Sequence, residues 1–189
     1  MSAKVFVMAD VKKGIILKGI GGLYFVETAD AVFECKARGI FRKSGQKPLV
    51  GDEVDILIGE DGANNTIEEI YPRRSELMRP PVANLDRLFI LSSVRDPNPS
   101  TLIIDKMTAI ACWKNIEPVI VITKDDLGDT SELRGIYEKA GIPLFSVSSR
   151  DGRGADEVKA MLSGHISAFA GNTGVGKSSL LNLIAPELS

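Results

Sequence analysis

Eight residues near the carboxyl end of the 189-residue chain have the types and spacing of a phosphate-binding loop. They run from Gly171 to Ser178 and follow the pattern Gly-x-x-x-x-Gly-Lys-Ser. Glycines let consecutive backbone N–H groups face an anion, and the helix that follows adds its positive dipole end. We assign the catalytic roles to Lys177, which would bridge the β- and γ-phosphates, and to Ser178, which would ligate Mg²⁺. The predicted phosphate-binding set is Gly171, Asn172, Thr173, Gly174, Val175, Gly176, Lys177, Ser178 and Ser179.

A second candidate loop, Thr123-Lys124-Asp125-Asp126, follows an apolar run that ends at Ile122. Asp126 can accept hydrogen bonds from the N1–H and the exocyclic amine of guanine, while Lys124 lays its methylene stem along the purine face. Adenine has neither donor on that edge, and sites built on such donors discriminate by roughly 10⁴ to 10⁵. We interpret Asp125 as a solvent-facing spacer and Thr123 as the residue that begins the loop.

Alone, this four-residue pattern is a weak signal, because aspartate and lysine are also common in solvated turns after strands. Ser148 and Ser149 favour the functional interpretation, since they follow the next apolar run and would offer backbone N–H groups to the base oxygen. The phosphate loop comes one run later. Together the three loops predict a guanine nucleotide, GTP or GDP, as the ligand, whereas an ATPase or a small-molecule kinase leaves Asp126 and the two serines unexplained.

Apolar runs in the second part of the chain predict the sheet that positions these loops. Each run has the length and composition of a parallel strand buried on both faces. Helix signals lie between the runs: Ser100 can cap a helix over 101–111, Asp129 and Glu132 resemble a capping box, and Gly141 supplies a stop. Such βαβ architecture places ligands at the carboxyl ends of its strands. The predicted strands are Leu88–Leu91, Pro118–Ile122, Pro143–Val147 and His165–Ala170.

The first part of the chain, from Val11 to about Tyr71, reads as short β-rich runs separated by glycine turns, which predicts a small β-barrel. A boundary follows at residues 71–74, and the prolines of Arg79-Pro80-Pro81 are expected to resist both helix and sheet. We therefore divide the chain into a barrel domain, 1–75, and a nucleotide-binding domain, 76–189. The predicted barrel runs are 14–17, 23–26 and 54–58, with turns at Gly21-Gly22, Gly51-Asp52 and Asp61-Gly62.

Overall charge gives no reason to expect a polyanionic partner, because 23 basic side chains face 25 acidic ones at a pI of about 5.5. A local stretch does give such a reason, because the basic residues between Cys35 and Gly51 are not interrupted by any acid. Phe41 lies among them, either as a stacking platform for RNA or as a barrel core residue beside a solvated loop. The basic residues are Lys36, Arg38, Arg42, Lys43 and Lys47.

Other features predict a reduced, cytosolic setting. No apolar run approaches the roughly 20 residues of a membrane helix, so we expect no membrane partner. Cys35 and Cys112 are too few for a disulfide framework or a zinc cage, and we predict that both are small buried hydrophobes. Trp113 is expected to anchor packing between a helix and the sheet. His165 opens a predicted strand far from the phosphates, so we expect no catalytic role for it.

The order of the loops is the mark of a circular permutation, because the base-reading loop precedes the phosphate loop. The chain resembles the ribosome small-subunit-dependent GTPase A family, whose members join an oligonucleotide-binding (OB) barrel, a permuted GTPase domain and a C-terminal zinc domain. The fold class implied is an all-β OB-type barrel followed by an α/β P-loop GTPase domain of permuted order. The resemblance rests on Ala37-Arg38-Gly39, Phe41-Arg42, Pro48-Leu49-Val50-Gly51-Asp52, Arg79-Pro80, Ala83-Asn84-Leu85-Asp86 and Gly174-Val175-Gly176-Lys177-Ser178-Ser179-Leu180-Leu181-Asn182.

This resemblance implies a monomeric, cytoplasmic GTPase that acts in late maturation of the small ribosomal subunit and binds its rRNA through the barrel. A nucleotide-gated RNA-binding module without significant turnover is the alternative. Family members continue into two switch segments and a zinc site. We therefore expect this chain to be a C-terminally incomplete fragment with poor turnover, and Zn²⁺ only in the missing domain. Thr123 stands where the family usually has asparagine, which alters the hydrogen bond expected between the base loop and the phosphate loop.

Overall fold

The computed structural model of the chain describes residues 10–59 and 64–186, with side chains for all of these except residues 42–44. The predicted turn at Asp61-Gly62 therefore lies outside the described residues. Contacts divide the chain into two compact units, the first ending at Asn84 and the second beginning at Leu85.

The first unit is built on a closed five-stranded barrel with the strand order β1-β2-β3-β5-β4. All neighbouring pairs are antiparallel except β3 and β5, and β1 pairs with β4 to close the barrel. Helix α1, Gly39–Ser44, connects β3 to β4. The predicted barrel is confirmed, and its strand order is that of an OB-type fold. The strands are β1 Val11–Ile20, β2 Leu23–Thr28, β3 Val32–Ala37, β4 Glu53–Leu57 and β5 Asn65–Ile70.

Alternation along the strands explains the barrel core. In β4, Val54 and Ile56 are fully buried, whereas their neighbours are half-exposed. Ile16 of β1 and Ile67 of β5 are also fully buried in the same cluster. Side chains that alternate in this way place one apolar set inside a small barrel and leave the other set at the surface.

A short hairpin completes the first unit, with β6 at Glu76–Met78 and β7 at Pro81–Ala83. The prediction that Arg79-Pro80-Pro81 resists sheet formation is wrong at Pro81, which begins a strand. Proline is tolerated there because the first residue of a two-stranded ribbon does not need its N–H for a ladder.

Asp52 forms a buried ion pair with Arg73, which lies in the segment between β5 and β6. Its carboxylate is fully buried and accepts hydrogen bonds from Arg73 Nε at 2.7 Å, Arg73 Nη2 at 2.8 Å and the Leu49 N–H at 2.7 Å. The bidentate contact with Asp52 raises the pKa of the Arg73 guanidinium. Gly51, at φ +86°, lies so close to β7 that an added Cβ would stand 2.1 Å from the Ala83 carbonyl oxygen. The predicted turn at Gly51-Asp52 is thus also a packing contact.

A four-stranded parallel sheet forms the centre of the second unit, in the order β10-β9-β8-β11. All four predicted strands are confirmed, although β11 begins two residues later than its apolar run. The strands of this sheet are β8 Arg87–Ser93, β9 Glu117–Thr123, β10 Leu144–Val147 and β11 Ser167–Gly171. The helices of the second unit are α2 Thr101–Trp113, α3 Ser131–Lys139, α4 Ala155–Ala160 and α5 Lys177–Ile184.

The helix boundaries follow the predicted signals in part. The Asp129 carboxylate accepts a hydrogen bond from the Ser131 N–H at 2.9 Å where α3 begins. Gly141, at φ +72°, ends the same helix, and its N–H bonds the Glu138 carbonyl at 3.0 Å. Ser100 precedes α2 but makes no side-chain capping hydrogen bond.

Two predictions about α2 are wrong. Trp113 is 77% exposed, so it does not anchor the helix to the sheet, and Cys112 beside it is exposed as well. Ile104, Thr108 and Ala111 form the buried side of the helix instead. Spacings of 4 and 3 residues put those three on one face, with Trp113 on the opposite face and Cys112 on the flank between them.

The two cysteines should therefore react at different rates. Cys35 is buried in the barrel, and desolvation raises the pKa of its thiol to about 11, so almost no thiolate forms near pH 8. We expect one thiol per native chain to react promptly with a disulfide reagent at pH 8, and both to react in denaturant. The C112S variant should lose the fast phase, and two equally fast thiols in the native protein would contradict the buried position of Cys35.

Candidate nucleotide-binding site

The three predicted loops lie at one edge of the parallel sheet. Thr123 at the end of β9 is in register with Ser93 on one side and with Val147 on the other. Gly171 at the end of β11 is in register with Leu91 of β8. Because the strands are parallel, the loops that follow Thr123, Val147 and Gly171 all leave the sheet at its carboxyl edge.

Lys177 holds the glycine-rich loop in a closed turn. Its ammonium group donates hydrogen bonds to the carbonyl oxygens of Gly171 at 2.7 Å and Asn172 at 2.8 Å. Gly174 and Gly176 have φ values of +81° and +88°, which a side chain disfavours, and a Cβ on Gly171 would lie 2.5 Å from the Leu91 carbonyl oxygen. Glycine is thus required at all three positions.

The loop also presents unpaired donors. Within the described parts of the chain, the backbone N–H groups of residues 173–176 donate no hydrogen bond. They directly precede α5, and the side chains of Asn172, Thr173, Ser178 and Ser179 around them are exposed, whereas Val175 is buried. A turn of free N–H groups at a helix start, with an ammonium group beside it, has the chemistry of an anion cradle.

Thr123 ties the base loop to the glycine-rich loop. Its hydroxyl donates to the Val175 carbonyl oxygen at 2.5 Å and lies 3.2 Å from the carbonyl oxygen of Ser92. Both Thr123 and Val175 are almost fully buried, with 1% and 3% exposure. The hydrogen bond between the base loop and the phosphate loop, which the sequence predicts to be altered at this position, is made by the Thr123 hydroxyl.

The remaining residues of the base loop have three different environments. Lys124 has a left-handed backbone with φ +58°, and its ammonium group bonds the Asp96 carbonyl. Asp125 is not the predicted solvent-facing spacer, because its side chain is only 16% exposed and pairs with Arg153 at 2.9 Å. Asp126 is exposed, and its carboxylate makes no hydrogen bond to any residue in the described ranges. Sequence reasoning missed Arg153.

The loop after β10 is held by its own backbone. Ser148 is fully buried, and its N–H bonds the Arg153 carbonyl at 3.0 Å, while Ser149 is exposed. The Ser148 hydroxyl accepts a hydrogen bond from the Arg150 N–H at 3.3 Å. Hydrogen bonds from Arg153 lower the pKa of Asp151 to about 2, so that carboxylate is charged at every physiological pH. The loop therefore has a fixed shape and a fixed charge.

The structure describes three of the five side chains of the basic stretch of the barrel. Lys36, Arg38 and Lys47 are exposed, and Arg38 pairs with Glu68 at 2.5 Å. The side chains of Arg42 and Lys43 lie outside the described residues. Phe41 is 8% exposed and packs in the barrel core. It is therefore a core residue and not a stacking platform for RNA.

Two further sequence expectations concern His165 and bound metals. His165 precedes β11, at the sheet edge opposite the phosphate loop, with its Nδ1 4.0 Å from Asp86. In the described ranges, 10–59 and 64–186, no three His, Cys, Asp or Glu side chains form a group that could hold a metal ion. None of the helices described is long and apolar enough to cross a membrane.

A parallel sheet with a glycine-rich loop at the start of a helix, tied to a lysine- and aspartate-bearing loop, defines a P-loop nucleotide-binding domain. Here the base loop precedes the phosphate loop in the chain, so the domain is of the permuted kind. The chain belongs to the RsgA GTPase family: its residues 70–189 match the RsgA GTPase model and residues 13–64 match the RsgA N-terminal domain model.

Curated relatives agree with this assignment. The chain is 44% identical over 183 residues to the small ribosomal subunit biogenesis GTPase RsgA of Alkaliphilus metalliredigens, covering 95% of this chain and 63% of that protein. A relative of the same name from Halalkalibacterium halodurans is 41% identical, with 93% of this chain and 62% of the relative covered. The chain therefore spans about three-fifths of the length of these relatives.

Solved structures share the fold. YjeQ from Thermotoga maritima aligns with a TM-score of 0.81 at 37% identity, covering 93% of this chain and 66% of its own. YloQ, a circularly permuted GTPase, aligns with a TM-score of 0.80 at 33% identity, covering 98% and 68%. The predicted fold class, a barrel followed by an α/β domain of permuted order, is confirmed.

Proposed function

We propose that this chain carries the guanine-nucleotide site of a GTPase that acts in late maturation of the small ribosomal subunit. The observation that carries the proposal is the 2.5 Å hydrogen bond from Thr123 to Val175, because it joins the base loop directly to the glycine-rich loop. One nucleotide can then contact both. The names of the curated relatives supply the biological setting.

The phosphates would lie on the free N–H groups of residues 173–176 and the first turn of α5. Lys177 is already aimed at the turn and would exchange its two carbonyl contacts for phosphate oxygens. The exposed Ser178 hydroxyl fits a Mg²⁺ ligand, and Mg²⁺ supplies neutralisation of phosphate charge when bound. The remaining loop residues, Gly171 to Ser179, shape this cradle.

The base would lie between the other two loops. The Asp126 carboxylate, exposed and without a hydrogen bond in the described chain, is available to the N1–H and amine of guanine. Lys124 would cover the purine face, Thr123 would position the loop, and Asp125 would hold it from behind through its ion pair. The exposed Ser149 would offer its backbone N–H to the base oxygen, and Ser148, whose N–H already bonds the Arg153 carbonyl, would hold the loop in place.

Catalysis and partners are part of the same proposal. We infer slow hydrolysis of GTP by the whole protein, poor turnover by these 189 residues, and stimulation by the small ribosomal subunit. The barrel would bind rRNA through its basic stretch, as a monomer in the cytoplasm and away from membranes. Zn²⁺ would belong to a C-terminal domain of the kind the family has. We place the boundary between the barrel domain and the nucleotide-binding domain at 75/76, near the end of the first compact unit at Asn84.

Calorimetry with GDP, GTP and ADP tests the binding step. We expect GDP and GTP to bind and ADP to bind at least a hundredfold more weakly, because adenine leaves the Asp126 carboxylate unpaired. Equal binding of ADP would refute guanine selectivity. Turnover of GTP with and without small ribosomal subunits then separates a GTPase from an RNA-binding module that is only gated by nucleotide.

Replacing Thr123 with valine should weaken GDP binding about tenfold. Valine has nearly the same shape but no hydroxyl, so the buried Val175 carbonyl loses its donor, a change worth about 1–3 kcal/mol. Titration calorimetry measures the affinity. T123N is the matched control, since its amide can donate again and should retain binding. If T123V and wild type bind GDP equally, the tie between the loops does not matter.

A further inference from the structure

Arg153 joins the two loops that flank the base position. Its Nη1 lies 2.9 Å from Asp125 Oδ2 and its Nη2 lies 3.0 Å from Asp151 Oδ2. Asp125 belongs to the loop after β9 and Asp151 to the loop after β10. One planar guanidinium therefore bridges two carboxylates on neighbouring loops, an arrangement that its rigid fork favours over a lysine.

The backbone at Arg153 provides a fixed base for this bridge. Its carbonyl accepts the N–H of the buried Ser148 at 3.0 Å. The next residue, Gly154, has φ +76° and passes so close to the end of β10 that a Cβ would stand 2.0 Å from the Ser146 carbonyl oxygen. The chain on either side of the arginine is thus pinned to the sheet, and its side chain restrains Asp125 from a rigid position.

The positive charge of Arg153 offsets the repulsion between two neighbouring carboxylates in the base loop. Asp125 and Asp126 are consecutive carboxylates that repel each other, and the positive charge of Arg153 interacts with both. The ammonium group of Lys124, the other cation of this loop, donates its hydrogen bond to the Asp96 carbonyl and not to either carboxylate. Among the described residues, Arg153 is accordingly the cation in ion-pair contact with this acidic loop.

We propose, on the basis of the guanine site described above, that Arg153 is a positioning residue for guanine recognition. It holds Asp125 and thereby sets the position of Asp126 without touching the nucleotide. Arg153 is 59% exposed, so solvent and salt screen its ion pairs and the effect is moderate. The discrimination between guanine and a base without the exocyclic amine should depend on it, because that amine bonds the carboxylate being positioned.

The test compares R153A with R150A in the complete 189-residue chain. Both variants remove one arginine charge from the same loop, but the Arg150 side chain makes no ion pair within the described residues. Calorimetry with GDP and with inosine diphosphate, which lacks the exocyclic amine, gives the affinity and the ratio between the two nucleotides. We expect R153A to lose about two- to fivefold in GDP affinity, less for inosine diphosphate, and R150A to keep the wild-type ratio.

Salt and a second substitution sharpen the result. The loss of GDP affinity in R153A should be smaller in 1 M salt, because salt screens the ion pairs of Arg153. Adding R153A to D125N should cost little further GDP affinity, since each substitution removes the same Arg153–Asp125 interaction. Equal losses for the two nucleotides, or for R153A and R150A, would overturn the positioning role while leaving the guanine site in place. A wild-type chain that fails to bind GDP would overturn both.

Discussion

Replacing Asp126 with asparagine should change the nucleotide preference from guanine to xanthine. A carboxylate accepts from the N1–H and the amine of guanine, whereas the asparagine amide presents one acceptor and one donor. Xanthine has an oxygen where guanine has the amine, so it matches the amide, and guanine would meet a donor opposite its own donor. We expect GDP affinity to fall at least hundredfold and xanthosine diphosphate affinity to rise, as measured by calorimetry with each nucleotide.

Asp156 provides the control for this change. It is an exposed aspartate in the first turn of α4, and D156N removes the same charge outside the three loops. That variant should bind GDP as the wild type does. If D126N retains wild-type GDP affinity, or loses GDP without gaining xanthosine diphosphate, Asp126 does not read the base edge in the proposed way.

The sequence contained enough information for the sheet because its strands are buried on both faces. Runs such as residues 118–122 are apolar throughout and have the length of a strand, so a parallel strand buried on both faces fits them, and β9 extends one residue beyond that run at each end. Ser167, by contrast, begins β11 two residues after the predicted start, since Asp86 binds the Ile166 backbone N–H at 2.8 Å and ends the pairing there. A contact 80 residues away along the chain is not visible as a local pattern.

Helix α2 shows why burial was harder to assign than secondary structure. Leu102, Ile110 and Trp113 are all exposed, although each is apolar. With apolar residues on nearly every side, the sequence does not mark which face meets the sheet. Sequence alone assigns Trp113 to the core because of its size. The buried face of the helix depends on which side chains fit against the neighbouring strands, and the largest side chain need not lie on it.

The site was predictable where the motif itself fixes geometry and not where it depends on pairing between loops. Lys177 and the glycines of the phosphate loop are constrained by backbone conformation that only glycine tolerates, and the sequence states this directly. The Thr123–Val175 hydrogen bond spans 52 positions and the Asp125–Arg153 pair spans 28. An arginine among acids on two neighbouring loops was the available signal for the second contact.

Replacing Asp52 with asparagine should destabilise the first unit more than any change at the nucleotide site. Its carboxylate is fully buried and accepts from Arg73 twice and from the Leu49 N–H, and the amide cannot reproduce that pattern. Removing one partner of a buried pair leaves the other charge uncompensated, which costs about 3–5 kcal/mol. This approaches the whole stability of a small domain. Urea unfolding, monitored through amide exchange in the barrel strands, measures the decrease in the free energy of unfolding.

Two further variants separate an unpaired charge from lost packing. D30N removes an exposed partner of Lys12 and should leave unfolding nearly unchanged, because solvent screens that pair. The double variant D52L/R73M replaces both buried charges by apolar side chains and should recover part of the stability that D52N loses. If D52N unfolds like wild type, or if the double variant is worse than D52N, the buried Asp52–Arg73 ion pair is not what holds this unit together.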